Sequence, residues 1–210
     1  MNNTRNAVVI GGGGGGGETS VWIVKTPSPD EFGTRQIYSL EVADTGQTGD
    51  IPAWAFEQLQ QVPSITLPSG LTGSIGEYAF IGCYNLAEVT LPAGMTGSVG
   101  EFAFSDCSNL TEVTLPAGMT GSIGDSAFSN CYSLTELTLP AGITSLGEMV
   151  FSGCYSLMTL TVKATTPPTI TYDSISDLRP DCSIRVPAES VAAYRDDPYW
   201  SMRADYITAI

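Results

Sequence analysis

The stretch IGEYAFIGCYNLAEVTLPAGMTGS, Ile75 to Ser98, decides the fold, because it returns almost letter for letter as VGEFAFSDCSNLTEVTLPAGMTGS from Val99 and IGDSAFSNCYSLTELTLPAGITS from Ile123. A further copy, LGEMVFSGCYSLMTLTVKATT, starts at Leu146, so the spacing runs 24, 24 and then 23 residues. A degenerate copy, IPAWAFEQLQQVPSITLPSGLTGS, begins at Ile51. Five turns of one repeat thus cover Gly46 to Lys163. Self-similarity at such a period is the signature of a stacked solenoid.

Each slot of the repeat has a physical reading. In LTEVTLP, Leu110 to Pro116, Val113 and Leu115 face one way while Glu112 and Thr114 face the other. That alternation predicts a half-buried strand, closed by the proline. One strand per turn, stacked at ~4.8 Å, gives a parallel sheet. The segment GEFAFSDC, Gly100 to Cys107, predicts one short helical turn, with Glu101 near its start where free amides favour a carboxylate. Phe56, Phe80, Phe104, Phe128 and Phe151 then form one inward column, and Val62, Leu86, Leu110, Leu134 and Leu157 another.

The pattern I-G-x-x-A-F-x-x-C-x-x-L-x-x-[VIL]-x-L-P resembles the BspA-type leucine-rich repeats of bacterial surface proteins. The resemblance implies an α/β fold: a right-handed leucine-rich-repeat solenoid with one short parallel strand and one short helical turn per 23-24 residue repeat. It also implies adhesion or other protein binding, usually outside the cell. The tail after Lys163, with a VP strand and a short helix ending in tyrosine, is similar to the segment that often follows such arrays. Gly73, Gly97 and Gly121 are an extra residue relative to the commoner 23-residue unit, which the last turn keeps, so a change of curvature is expected near Ser145.

Composition narrows the function. With 22 acidic and 8 basic side chains the formal charge is −14, so a nucleic-acid backbone is repelled. The chain has no histidine, which removes Ser-His-Asp and Cys-His nucleophiles and histidine-held metals. No apolar run reaches the ~18 residues of a membrane span. Only AVVI stands before the glycines, too short for a signal peptide, so a leader has been removed or export takes another route. No cofactor, no metal and no enzymatic activity are expected.

Cys83, Cys107, Cys131 and Cys154 share one column, where Leu59 stands in the first turn. A slot that accepts leucine reads as a small buried hydrophobe rather than a ligand or half of a disulfide, and Cys182 falls in the C-terminal cap.

The outward slots are the better place to look for function. Glu88, Glu112 and Glu136 align on the sheet beside Thr90, Thr114 and Thr138, and no lysine or arginine occurs between Gly46 and Val162. This column reads either as a solvated wall or as a recognition face for a basic partner. Tyr84, Tyr132 and Tyr155 form a broken aromatic line after the cysteines, for which half-buried packing is favoured over sugar stacking. A hydrolase built on Glu112 and Glu136 is disfavoured, because ladder residues are expected to sit in no cleft.

The ends close the array. SVWIVKT, Ser20 to Thr26, and RQIYSLEVAD, Arg35 to Asp44, predict a two-strand N-terminal cap. Pro187 opens a short helix with Val191 and Tyr194 inward, followed by Trp200 and Tyr206. The run VVIGGGGGGGET, Val8 to Thr19, lacks the lysine and hydroxyl of a phosphate loop and reads as a tether. The expected organisation is therefore an arm and tether over 1–19, a strand cap over 20–45, the solenoid over 46–163 and a C-terminal cap over 164–210. The function expected is adhesion to a protein or glycan on a cell surface, the protein being extracellular. The alternative is a structural or tail-associated receptor-binding protein of a phage virion.

Overall fold

The computed structural model describes the strands Ala7–Gly11, Val21–Lys25 and Leu40–Val42 and all of residues 46–210. From Leu40–Val42 onward the chain stacks as the parallel coils of a leucine-rich-repeat solenoid. Its main sheet takes one strand from each coil, because every coil carries an alternating segment whose inward residues must be buried. Leu40–Val42, Ser64–Thr66, Glu88–Thr90 and Glu112–Val113 pair in parallel. A Thr114–Thr138 bridge joins them to Glu136–Leu139, Thr159–Val162, Ser183–Val186 and Ile207–Ala209, again parallel. The last two strands keep the repeat's step, so the C-terminal segment adds rungs to the ladder as well as covering it.

At the N-terminal side Val21–Lys25 lies antiparallel to Leu40–Val42, pairing Val24 with Val42 and Lys25 with Glu41. Ala7–Gly11 in turn lies antiparallel to Val21–Lys25. This strand differs from the reading of residues 1–19 as arm and tether: its run of alanine, valine and isoleucine suits a ladder. Gly12 to Gly17 lie outside the described residues.

The stretch between prolines and phenylalanines forms a second parallel ladder. Gly49–Ile51 pairs with Leu71–Ile75, bridges link Ile75 to Val99 and Val99 to Ile123, and Thr120–Ile123 pairs with Gly142–Leu146. Here the extra glycines find their reason. A Cβ on Gly97 would lie 2.2 Å from Ser74 Oγ and 2.6 Å from its backbone nitrogen, so only glycine lets the coils close. Where the last turn drops that residue, the pairing shifts register between Ile143 and Ser145; a like shift falls between Gly49 and Ile51.

The slot expected to be a helical turn is instead a run of tight turns. Phe80 N–H bonds Ala103 O in the next coil at 2.8 Å, while Ala79 N–H and Cys83 N–H bond back to Gly76 O and Phe80 O. Alternate amides therefore serve the neighbouring coil, and two residues per coil enter the left-handed region to aim them. Asp106 and Asn130 (φ 61° and 60°) and Gly82 and Gly153 (φ 70° and 77°) are residue types that tolerate this. Trp54, Tyr78 and Phe102 (φ 61°, 58° and 52°) are not. Their rings recover part of the cost by stacking at 4.0 and 5.1 Å.

The core is two columns deep, as the repeat demands. Phe56, Phe80, Phe104, Phe128 and Phe151 stack at 5.1, 4.9, 5.3 and 6.3 Å, all within 13° of parallel. The widest step falls at the 23-residue coil. Val62, Leu86, Leu110, Leu134 and Leu157 are buried beside them. At the far end Tyr194 and Trp200 meet edge to face at 5.2 Å, both fully buried. Tyr194 O–H donates to Ala164 O at 2.8 Å and Trp200 Nε1–H to Pro168 O at 2.9 Å, so each aromatic satisfies its polar atom.

Candidate binding face

The outward residues of the main sheet meet in one place. Glu88 is the lateral partner of Glu112, Thr114 bridges to Thr138, and Glu136 continues the column to Thr159. Glu88, Thr90, Glu112, Thr114, Glu136 and Thr138 are all exposed. These six residues line an open concavity of about 900 Å³, which Leu91, Leu115, Pro116, Ala117 and Lys163 also border. The carboxylates were expected to sit in no cleft, and they line this concavity instead.

The face is a strip of acceptors. Thr114 O–H donates to Glu112 Oε1 at 3.4 Å, a long bond that leaves most of the carboxylate open. Like charges on adjacent rungs ~5 Å apart repel by about 1 kcal/mol in water. Lys163, which also lines the concavity, is the first cation after Gly46. Chemically the strip suits a cationic ligand better than a reaction. General acid and base roles require two carboxyls in different surroundings, and Glu112 and Glu136 share the same exposed, threonine-flanked setting. Among the described residues no cluster of His, Cys, Asp or Glu is placed to hold a metal.

The tyrosine line stands elsewhere. Tyr84 and Tyr132 are 44% and 45% exposed, about half-buried, and Tyr155 is 72% exposed. Tyr132 and Tyr155 stack at 5.8 Å. Sequence reasoning missed Lys163 as part of the groove and missed the Trp54, Tyr78, Phe102 ladder. Comparing that one slot across coils would have found the ladder.

The cysteines are free and buried. Cys83, Cys107, Cys131 and Cys154 each donate S–H to a carbonyl of the preceding coil, that of Phe56, Phe80, Phe104 and Phe128, at 3.0 to 3.2 Å. Burial pushes the Cys107 and Cys131 thiols well above their ordinary pKa, and Cys182 up to about 11. They are structural groups, not nucleophiles.

Stacked parallel strands, an inward leucine and phenylalanine ladder and a concave outward sheet define a leucine-rich-repeat protein. The chain belongs to the family described as the BspA type leucine rich repeat region, whose sequence profile matches residues 31–174 in six copies. Among solved structures it is similar to the leucine-rich repeat protein of T. pallidum, at 24% identity over 67% of this chain and 68% of that one, with a TM-score of 0.53. A leucine rich cell surface protein from Faecalibacterium prausnitzii is 22% identical over 80% of this chain and 53% of that one, with a TM-score of 0.51. The pneumococcal vaccine antigen PcpA is 19% identical over 81% of this chain and 44% of that one, with a TM-score of 0.54. This chain thus spans about half of the latter two, and at these identities the likeness is one of fold. No curated protein sequence matches it.

Proposed function

We propose that the protein is a non-enzymatic adhesion module at a cell surface, and that its concave sheet binds a basic, extended segment of a partner protein. The observation that carries this reading is the column Glu88, Glu112 and Glu136 lining a concavity in an array without a basic residue from Gly46 to Val162. Core packing fixes the inward slots, but nothing in the fold requires glutamate outward on three successive rungs. A partner that brings cations removes the repulsion those rungs carry. The surface setting follows the family and the likeness to the Faecalibacterium cell surface protein.

The experiment is a pull-down of detergent-extracted cell-surface proteins by the immobilised chain, run beside the variant with Glu88, Glu112 and Glu136 all changed to Gln. Capture by the parent at low salt that both the variant and 0.5 M salt abolish supports the reading. Equal capture by both proteins removes the sheet face from it.

A further inference from the structure

The aromatic column on the turn side has a missing rung. Tyr84 and Tyr132 stand two coils apart with nearly equal exposure, 44% and 45%, and Ser108 occupies the slot between them. The Phe80, Phe104, Phe128 ladder belongs to the same three coils and measures the spacing: 4.9 Å and then 5.3 Å between ring centroids. By the 24-residue register, a ring in the Ser108 slot would stand between the Tyr84 and Tyr132 slots, as Phe104 stands between Phe80 and Phe128 inside the core. None of these residues lines the acidic concavity.

The rim of the notch is polar, and both donors and acceptors are present. Ser108 O–H donates to Tyr84 O at 3.3 Å, which leaves its oxygen as the floor's acceptor. Asn109 is exposed and gives Nδ2–H to Asn85 Oδ1 at 3.1 Å; the amide ladder ends there, because the next coil has Ser133. A Cβ on Gly82 would lie 3.9 Å from the Tyr84 hydroxyl, so the ring reaches back over that slot, and in the Ser108 coil the same slot is Asp106. Asp106 takes Asn130 Nδ2–H at 2.9 Å on Oδ1 and is only partly buried. A group lying in the Ser108 slot therefore has a tyrosine in the coil on each side, a hydroxyl and an amide at hand from Ser108 and Asn109, and the Asp106 carboxylate in the same coil.

We propose that this notch binds a single pyranose ring of a glycan, a site separate from the concave sheet. A sugar offers apolar C–H faces to the tyrosines and hydroxyls that both donate and accept around its edge, which is what the rim asks for. A phenyl side chain would leave the rim unpaired. A guanidinium would meet one carboxylate already engaged by Asn130. The puckered ring also fills a gap of about two coil steps, ~9.6 Å between tyrosine planes, better than a flat one.

The test uses the full chain and the methyl glycosides of glucose, galactose, mannose and N-acetylglucosamine as probes, read by saturation-transfer NMR and titration. At least one glycoside is expected to receive saturation at its ring C–H protons. Tyr84→Ala and Tyr132→Ala should weaken it about tenfold or more. Ser108→Tyr, which supplies the missing rung and so keeps the fold, should abolish it. Tyr155→Ala and the glutamate-to-glutamine triple variant should retain it. Absence of transfer to all four glycosides, binding that survives Ser108→Tyr, or a preference for indole or arginine amide over every glycoside would overturn the assignment.

Discussion

Cys107 Sγ donates to the carbonyl oxygen of Phe80 at 3.2 Å, one coil away, and the same bond recurs down the column. The thiol thus serves as a coil-to-coil fastener small enough for a closed core. All five cysteines should resist iodoacetamide in the native protein at pH 7.5 and react fully in denaturant without reductant. Two or more cysteines still protected after denaturation would reveal disulfides that the structure does not contain.

The same burial makes stability fall in alkali. Cys107 and Cys131 are held protonated in the fold well above 9.0, whereas the unfolded thiols ionise near ~8.5. A raised folded pKa gives stability that is complete below the unfolded value and lost as pH rises toward the folded one. Above pH ~9 each such thiol should cost up to about 1.4 kcal/mol per pH unit. Urea midpoints measured from pH 7.5 to 10.5 should decline, and a Cys107→Ala, Cys131→Ala variant, weaker at neutral pH, should decline less.

Phe104 lies between Phe80 and Phe128 and is fully buried. Phe104→Ala should remove roughly 3 to 5 kcal/mol, since the neighbouring coils cannot collapse into the gap without breaking their ladder bonds. A thermal melt within a degree of the parent would contradict the stacked core.

Two glycines of one repeat should behave oppositely. Gly97→Ala forces a Cβ against Ser74 at 2.2 Å and must spread the second ladder, so a loss of several kcal/mol and a lowered melting point are expected. At Gly94 the nearest atom to a new Cβ is Leu71 O at 3.4 Å, and Ala there should be nearly neutral. Equal effects at the two sites would show that the coils do not close as described.

Much of this was legible in the sequence because the repeat fixes period and inward slots together. The phenylalanine ladder and the Glu88–Glu112 register follow from a 24-residue step and from alternation alone. The second ladder was hidden because TGS has no apolar alternation; it exists through bonds such as Thr96 O–H to Thr72 O at 3.0 Å, which no local pattern encodes. The helical turn was misread because Gly100 to Cys107 has helical spacing, while the left-handed Phe102 backbone sends alternate amides to the next coil. Of the candidate face, the charges were readable and the concavity was not, since a concavity depends on how all the coils stack.

The reading of the acidic face depends on three carboxylates, and the direct measurement is binding of defined cations by the parent and by the variant with Glu88, Glu112 and Glu136 changed to Gln. The probes are oligo-lysine and oligo-arginine peptides, with a glycine-serine peptide as control, titrated calorimetrically at 20 and 150 mM salt. The parent should bind the basic peptides more weakly at the higher salt, as the Debye length shrinks to ~8 Å, and ignore the control. The variant should unfold at the same or a slightly higher temperature, through relief of stacked repulsion, and lose most of the affinity. Unchanged binding by the stable variant at 20 mM salt would contradict the account, leaving the sheet face a solvated wall.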